Sequence, residues 1–184
     1  MIKIKKTKLK DCYEIIYKSY SDKRGDFQEL YNFNKYFKIS KIPFVQVNFS
    51  RSKKNVLRGL HFQSNFPQAK LISVTKGTVF DVAVDLRINS KTFGMWHGAV
   101  LSDLNNKQLY IPEKFAHGFL VLSNYAEVVY KCTKHYNKND EITLIWKDKN
   151  INIKWPIKNS RKIITSPKDS NGINLEKLIA LKKL

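Results

Sequence analysis

One histidine of this sequence lies where a buried polar group would need a partner. The chain has only four histidines, His61, His97, His117 and His135. His61 follows Arg58 by three positions in the apolar, strand-like run VLRGLHFQ, residues 56–63. Buried imidazole and guanidinium groups cost free energy unless they are paired. His61 could be a core side chain bonded to a backbone carbonyl, a metal ligand or a catalytic base, and this run alone does not decide between them.

The spacing around His61 argues against a metal site. Metal sites in β-barrels commonly use two histidines separated by one residue, because both rings then face inward from one strand. Here the strand continues as Phe62-Gln63 instead. A metal would need His61 and His117 to converge with a carboxylate, and we predict no metal.

Arg58 sets a further condition on the same strand. Strict alternation would place His61 on the face of Gly59 and Gln63, and Arg58 on the opposite face. If Arg58 and His61 serve one site, the alternation must break between them. Gly59 is the residue that permits a β-bulge there, so the run is compatible with a polar pocket inside a barrel.

Ionisable residues in other apolar runs favour such a pocket. Lys70 lies in QAKLISV, Asp81 and Asp85 lie in VFDVAVDLR, and Glu127 and Tyr130 lie in EVVYKC. Several strands that each contribute one polar side chain indicate a lined interior, where ligands bind in this class of fold. For Asp81 and Asp85, structural hydrogen bonding is favoured over catalysis, because carboxylates at strand ends often bond to loop amides.

The elements that must position these residues are mostly strands. Short runs rich in Val, Ile, Tyr and Phe extend from about residue 44 to 146, and the gaps between them are too short for crossover helices. We therefore predict an all-β sandwich, jelly roll or barrel. Residues 70–84, KLISVTKGTVFDVAV, have the pattern of a β-hairpin. Residues 28–38 have helix-compatible spacing, and the tail after Gly172 predicts a short amphipathic helix capped by Asn174.

Length and composition fit one domain with a sizeable core, since the chain has 184 residues of which 42% are hydrophobic. Cys12 and Cys132 are too few for a disulfide framework or a thiolate zinc site. The sequence has neither an apolar run of about 18 residues nor the pattern of a signal peptide. We expect a soluble, cytoplasmic protein that does not bind membranes.

The net charge of +19 invites a nucleic-acid interpretation, but its distribution argues against one. Basic residues are scattered along the chain, and only five of them are arginine. Proteins that read nucleic-acid grooves favour arginine, whose planar fork matches guanine edges and phosphates. We therefore predict a general lysine bias with some attraction to anionic ligands, and no nucleic-acid partner.

Motifs in the same order from about residue 20 to 170 resemble one enzyme family. They are DKRGDFQE (22–29), FVQVN (44–48), LRGLHFQ (57–63), QAKL (68–71), VFDVAVDLR (79–87), SKTFGMW (90–96), QLYIPEKFAHGFLVLS (108–123), YKCTKHY (130–136) and SPKD (166–169). Together they resemble dTDP-4-dehydrorhamnose 3,5-epimerase, an enzyme of dTDP-L-rhamnose synthesis. The resemblance implies a cupin-type double-stranded β-helix, or jelly roll, with short peripheral helices, no cofactor and a homodimeric assembly.

The resemblance also implies how the chain is divided. Residues 1–184 would form a single epimerase domain. Its N-terminal strands and arm, about residues 1–45, would be exchanged between the subunits of the dimer. The jelly-roll core would span about residues 44–146, and a C-terminal segment of about residues 160–184 would carry the SPKD motif.

Roles for individual residues follow from the same resemblance. His61 would be the general base, supported by Asp169, and Tyr130 would be the general acid. Lys70 would lie beside the C4 oxygen of the sugar as a catalytic and substrate-binding residue. The other expected substrate-binding residues are Arg24, Phe27, Glu29, Gln46, Val47, Asn48, Arg58, His117, Glu141 and Lys168. The first three would reach the nucleotide, in part across the dimer interface.

The implied reaction inverts C3 and C5 of dTDP-4-keto-6-deoxy-D-glucose to give dTDP-4-keto-L-rhamnose. Two alternatives stay open: a relative that inverts only C3 or only C5 of a related nucleotide sugar, and a non-catalytic cupin that binds anionic ligands. Val47 and Phe49 stand where the family usually has aspartate and histidine, and His135 stands where it often has tyrosine. We expect contacts to the ligand, rather than the chemistry, to differ at these positions.

Overall fold

The chain is built almost entirely from short strands. A computed structural model describes residues 2–157 and 162–184. The strands of these residues are β1 (Lys3–Lys6), β2 (Tyr13–Ile16), β3 (Ser19–Asp22), β4 (Gly25–Gln28), β5 (Gln46–Lys53), β6 (Leu57–Gln63), β7 (Lys70–Lys76), β8 (Thr78–Asp85), β9 (Trp96–Ser102), β10 (Lys107–Ile111), β11 (Phe115–Val121), β12 (Tyr125–Cys132) and β13 (Glu141–Thr143). The helices are α1 (Phe33–Tyr36), α2 (Pro167–Ser170) and α3 (Leu175–Ala180).

Two antiparallel sheets hold most of these strands. The first sheet has the order β1-β2-β10-β7-β12-β5 and the second has the order β13-β6-β11-β8-β9, whereas β3 and β4 form a separate two-stranded ribbon. From β5 onward the chain crosses from one sheet to the other at almost every connection, as in a jelly roll. The all-β jelly-roll prediction is therefore confirmed.

The main core lies between the two sheets, because the inward side chains of both must leave water. Ile72 and Val74 of β7 pack there with Val79 of β8 and Phe119 of β11. A second apolar cluster covers the other face of β8, where Val82 and Val84 contact the C-terminal part of the chain. The second sheet is thus covered on both faces, which fixes the strands that carry His61 and His117.

The predicted hairpin of residues 70–84 is wrong. β7 pairs with β10 and β12, whereas β8 pairs with β11 and β9, so these consecutive strands belong to different sheets. Gly77 lies between them with a φ of +79°, and a Cβ atom there would be 2.2 Å from the backbone oxygen of Tyr125. The turn residues are those of a hairpin, but the two apolar strands bury more surface by facing each other across the core than by pairing side by side.

The helical predictions had different outcomes. The expected C-terminal helix is present as α3, and the Asn174 side chain accepts a hydrogen bond of 2.9 Å from the backbone N–H of Lys177, as predicted for its cap. The helix expected over residues 28–38 is mostly absent, since only Phe33–Tyr36 is helical. Gln28 ends β4 instead, because its backbone pairs with Ser19. Within the described residues, no helix is long and apolar enough to span a membrane.

Candidate active site

A cavity of about 620 Å³ opens between the inner faces of the two sheets and collects most of the predicted site residues. The volume is suited to a small-molecule ligand. Gln46, Asn48, Lys70 and Tyr130 line it from the first sheet, and Arg58, His61, His117 and Glu141 line it from the second. Lys168 and Asp169 close it from the C-terminal segment.

Strand register explains why these residues meet. In the first sheet Cys132 is paired with Lys70 and Gln46, and Tyr130 is paired with Asn48. In the second sheet His117 is paired with His61 on one side and with Ala83 on the other. Paired residues share a face of a sheet, so each sheet presents adjacent rows of polar side chains to the same cavity. His61 and Tyr130 consequently face it from opposite walls.

The predicted bulge at Gly59 is present. The pairing of β6 with β11 shifts register between His117 and Phe119, so that Arg58 and His61 both line the cavity. Gly59 has a φ of +105°, and a Cβ atom there would lie 2.5 Å from the backbone oxygen of His117. Only glycine fits this conformation and this close approach.

His61 is bonded to a buried carboxylate. Its Nε2 lies 2.6 Å from Oδ1 of Asp169, whose side chain is 5% exposed. Asp169 lies in α2, where its backbone N–H donates to the Ser166 side chain that caps this turn. The turn is held against β6 by the hydrogen bond of 2.9 Å from the Leu57 N–H to the Ile164 carbonyl. Burial alone would raise the pKa of Asp169, but the hydrogen bonds with His61, Ser166 and Gly59 leave it below its ordinary value, so the carboxyl is ionised at neutral pH.

Glu141 faces the other nitrogen of the same ring. Its Oε1 lies 3.8 Å from Nδ1 of His61, while its Oε2 accepts hydrogen bonds from the Tyr136 hydroxyl at 2.7 Å and from the Lys168 ammonium. Burial raises the pKa of Glu141, but the contacts with Lys168, Tyr136 and His61 outweigh burial and leave it below its ordinary value. The imidazole of His61 therefore lies between two ionised carboxylates.

His117 forms a second, fully buried pair. Its Nε2 lies 2.9 Å from Oδ2 of Asp81, whose side chain is 0% exposed. Burial lowers the pKa of His117, and Asp81 opposes this shift without reversing it, so this ring is neutral at pH 7 and donates Nε2–H to the carboxylate. Asp85 has the structural role that the sequence indicated, because it accepts hydrogen bonds from Arg87, Ser90 and Thr92 in the following loop.

Lys70 brings an amine into the cavity wall. The residue is 8% exposed, and its Nζ donates to the backbone oxygen of His61 at 3.4 Å. Burial lowers the pKa of this amine, and the nearby carboxylates of Glu141 and Asp81 oppose that effect. Such an amine is poorly solvated and is suited to stabilising an oxyanion that develops beside it.

Tyr130 and Arg58 complete the polar lining. Burial raises the pKa of the Tyr130 hydroxyl, with Arg58 opposing the shift, so the phenol stays protonated at neutral pH. The guanidinium of Arg58 is anchored through its Nε to the Ser52 hydroxyl at 2.9 Å on β5. Its Nη2 also donates to the Arg51 backbone oxygen at 3.4 Å, and the other N–H groups can bind an anionic group such as phosphate.

Four of the predicted site residues do not line the cavity of one chain. Arg24 and Phe27 lie on the exposed β3–β4 ribbon, where Arg24 is paired with Asp22 and Phe27 is 70% exposed. Glu29 is paired with Lys35 beyond the same ribbon. Val47 lies on β5 and is 61% exposed, because alternation turns it away from the face that carries Gln46 and Asn48.

The sequence of this chain is similar to the sequences of known proteins. A sequence profile described as dTDP-4-dehydrorhamnose 3,5-epimerase matches residues 6–177. The curated dTDP-4-dehydrorhamnose 3,5-epimerase of Escherichia coli is 47% identical over 180 residues, 96% of this chain and 96% of that protein. The chain belongs to the dTDP-4-dehydrorhamnose 3,5-epimerase family.

Solved structures of similar proteins agree with this assignment. The dTDP-6-deoxy-D-glucose-3,5-epimerase of Legionella pneumophila, solved with dTDP-4-keto-L-rhamnose, is 44% identical with a TM-score of 0.95, covering 100% of this chain and 97% of that chain. A 3′-monoepimerase of Streptomyces bikiniensis, solved with dTDP-quinovose, is 28% identical with a TM-score of 0.90, covering 97% and 90%. The cupin-type jelly roll that the sequence resemblance implied is thereby confirmed.

The sequence did not lead us to predict two residues of this site. Tyr136, whose hydroxyl holds Glu141, also lines the cavity. Its position at the end of the YKCTKHY motif was the available signal. Ser166 was quoted in SPKD, but its role as the cap that orients Asp169 was not inferred. A serine followed by proline at the start of a helical turn is a recognisable capping signal.

Proposed function

We propose that this protein inverts C3 and C5 of dTDP-4-keto-6-deoxy-D-glucose and so forms dTDP-4-keto-L-rhamnose for dTDP-L-rhamnose synthesis. The observation that carries the proposal is the His61–Asp169 pair, at 2.6 Å, in a cavity whose opposite wall holds Tyr130. Membership of the epimerase family supports the reaction class. The cited Legionella enzyme, whose structure contains the proposed product, supports the substrate class.

The proposed reaction begins with removal of a proton from the carbon next to the C4 ketone. Imidazole is a good base near neutral pH, and the Asp169 carboxylate stabilises the imidazolium that forms. The electron pair moves onto the C4 oxygen, where the Lys70 ammonium stabilises the enolate. Tyr130 then gives its proton to the same carbon from the opposite side, which inverts it. The ketone itself takes up the electron pair, so this chemistry requires no cofactor.

Deuterium exchange tests the proposal directly. The protein is incubated with dTDP-4-keto-6-deoxyglucose in deuterated water, and deuterium at C3 and C5 is followed by mass spectrometry and NMR. Incorporation at both carbons is expected. Incorporation at one carbon only would replace the proposal with the narrower epimerase, and exchange only with other nucleotide 4-ketosugars would change the substrate. A protein that exchanges no such sugar is not an epimerase.

Variants of the base and the acid have different expected effects. His61→Asn abolishes deuterium exchange at both carbons, because the imidazole that takes the proton from carbon is missing. Tyr130→Phe retains exchange but loses productive inversion, because the proton is removed and returned on the same side. Separate measurement of exchange and of product formation distinguishes the two. Equal and mild effects of both substitutions would contradict the assignment of base and acid.

One observation supports the alternative that the protein inverts only C3 or only C5. A 3′-monoepimerase has the same fold as this chain, with a TM-score of 0.90. A similar backbone therefore supports either outcome, and the two differ in how the ring is presented to His61 and Tyr130. The deuterium pattern decides between them.

We also propose a homodimer in which the N-terminal arm, within residues 1–45, completes the site of the partner. In this chain β1 and β2 pair within the first sheet, so the proposed exchange concerns the β3–β4 ribbon and its residues Arg24 and Phe27, with Glu29 beyond it. The exposed outer face of β5, with Val47 and Phe49, supports a covering subunit. The core of about residues 44–146 and the C-terminal segment of about residues 160–184 would then form the rest of each site.

The two cysteines support a cytoplasmic location as part of the proposal. Cys12 and Cys132 are both free and buried. Burial raises the pKa of the Cys12 thiol to about 12, so it stays protonated and unreactive. Unpaired thiols are typical of proteins from reducing compartments.

A further inference from the structure

The proposed function requires proton transfers that His61 and Tyr130 do not complete alone. Inversion of the first carbon leaves His61 with a proton from that carbon and leaves Tyr130 without its own. Before the second carbon can react, the base must lose one proton and the acid must regain one. The site therefore needs an exit for protons from His61 to water.

The geometry identifies which nitrogen of His61 takes part. Nε2 is bonded to Asp169 at 2.6 Å, so this nitrogen holds a proton that it donates to the carboxylate. The proton from carbon must then be taken by Nδ1. Oε1 of Glu141 lies 3.8 Å from Nδ1, too far for a hydrogen bond to the neutral ring but close enough to accept one after a small shift towards the charged ring.

Glu141 is the carboxylate with an outlet to solvent. Its Oε2 is bonded to Tyr136 and Lys168, which leaves Oε1 to face His61. Tyr136 is 49% exposed and the Lys168 side chain is 48% exposed, so these two residues form a solvent-facing rim of the cavity. The Asp169 side chain, by contrast, is 5% exposed.

The other charged or titratable groups near His61 are less suited to this task. Lys168 of α2 is bonded to Glu141 itself, and the Lys70 amine of β7 is assigned to the enolate oxygen. His117 of β11 is buried and already bonded to Asp81. Among the described residues around His61, Glu141 of β13 alone combines negative charge, a free oxygen and contact with the rim.

We infer that Glu141 removes the proton from His61 between successive inversions. The Nδ1–H bond of the imidazolium breaks, an O–H bond forms at Oε1 of Glu141, and the ring recovers its lone pair. Glu141 then loses the proton to water at the rim formed by Tyr136 and Lys168, while Tyr130 regains a proton from water. The role rests on the proposed epimerase function and goes beyond contact between Glu141 and substrate.

The test compares Glu141→Gln with the unmodified protein, using dTDP-4-keto-6-deoxyglucose in deuterated water. Glutamine keeps the size and the hydrogen-bonding capacity of the side chain but cannot take the proton. Exchange at the first carbon is expected to continue, whereas inversion of the second slows on the order of 10–100-fold and a singly inverted sugar accumulates. Added imidazole buffer restores the second inversion in this variant, because a small base can accept the proton directly.

Glu176→Gln is the matched control. It makes the same chemical change on α3, where Glu176 accepts a hydrogen bond from Asn150 and does not line the cavity. It is expected to have no effect on either carbon or on the response to buffer. Tyr136→Phe loosens Glu141 without removing its charge, so a smaller delay that also responds to buffer is expected.

The outcomes separate the inference from the function on which it rests. A rise in KM with equal slowing at both carbons and no response to buffer would make Glu141 a substrate contact only and would overturn the inference. If the unmodified protein exchanges deuterium at one carbon only, the inference predicts one rapid exchange per site in Glu141→Gln, followed by turnover that depends on buffer. Turnover that is independent of buffer would overturn the inference. An unmodified protein that exchanges neither carbon removes both proposals.

Discussion

His61 owes its role to the groups around the ring rather than to its place in the sequence. Asp169 holds one nitrogen, Glu141 faces the other, and Tyr130 lies on the opposite wall of the cavity. The sequence predicted the types of these residues through their motifs, because ionisable groups in apolar strands need partners. It did not predict which nitrogen each carboxylate would face, since that depends on the path of the C-terminal segment over β6.

Asp169→Asn tests the orientation of His61. The amide has no negative charge to stabilise the imidazolium and can hold the ring in the wrong tautomer, so kcat should fall by roughly 10²–10⁴ with little change in KM. Steady-state kinetics on the nucleotide sugar provide the measurement. Asp103→Asn, which makes the same change in the turn after β9, should leave kcat unaltered. A large rise in KM with unchanged kcat would instead mean that Asp169 binds substrate.

Lys70→Met tests whether the buried amine serves activity at a cost in stability. The activity should fall on the order of 10²–10³-fold, because the enolate loses its cation. The free energy of unfolding should rise by about 1–2 kcal/mol, because a poorly solvated ammonium is replaced by an apolar chain of similar length.

The pH dependence of that gain follows from the direction of the shift. Burial lowers the pKa of Lys70 in the folded state, so between the folded and the ordinary pKa the unfolded chain binds more protons and the stability of the unmodified protein rises with pH. The advantage of Lys70→Met should therefore be largest at neutral pH and should shrink towards the ordinary pKa of lysine. Urea unfolding at several pH values measures it, with Lys5→Met on the exposed strand β1 as control. A destabilised Lys70→Met would contradict this account.

At the scale of elements, the strands were easier to predict than their partners. The runs in residues 44–146 that the sequence marked as strands are strands, because alternation of apolar and polar residues is local information. Their pairing was not local, and the expected hairpin of β7 and β8 is instead a crossing between sheets. The helix expected over residues 28–38 shrank to α1 because β4 pairs with β3 up to Gln28. At Gln28, pairing with a neighbouring strand thus overrode a weak helical pattern.

Gly59→Ala tests the bulge that lets Arg58 and His61 share the cavity. A Cβ atom at this position would lie 2.5 Å from the His117 backbone oxygen, so the free energy of unfolding should fall by about 3 kcal/mol and activity should fall with it. Gly25→Ala is the control: its φ is +127°, but no atom lies within 4 Å of the added methyl group.

Gly25→Ala should lower the free energy of unfolding by only about 1 kcal/mol, because it has the backbone strain without the steric clash. Chemical denaturation of both variants gives the two values. Equal losses would show that backbone conformation alone, and not the contact between β6 and β11, accounts for the requirement at Gly59.

At the scale of the whole molecule, one chain presents the chemistry but not the full set of predicted contacts. Arg24, Phe27 and Glu29 lie on or beside a ribbon that has no place in either sheet. The net charge of +19 is compatible with a negatively charged nucleotide sugar, since such a charge attracts anions over the whole surface. The proposed dimer would bring the ribbon of one subunit to the cavity of the other.

Subunit complementation tests that arrangement. His61→Asn and Arg24→Ala are each expected to form poorly active homodimers. A mixed dimer would contain one site with both native residues, because His61 of one subunit would meet Arg24 of the other. Activity after mixing should therefore exceed the sum of the two variants, measured after denaturation and joint refolding. Activity that never exceeds this sum, in a sample shown to contain mixed dimers, would place Arg24 in its own subunit's site or outside any site.

The sequence by itself determined the all-β class, the family motifs, the glycine at the bulge and the residues capable of proton transfer, because these depend on residue type and short-range spacing. Tertiary structure decided what those residues do together. Register across β6 and β11 set His61 beside His117, the crossing at Gly77 separated β7 from β8, and the capped turn at Ser166 brought Asp169 to Nε2. The contact of Glu141 with Nδ1 depends on residues eighty positions apart. Such contacts arise from burial and strand pairing across the whole chain, which local patterns do not encode.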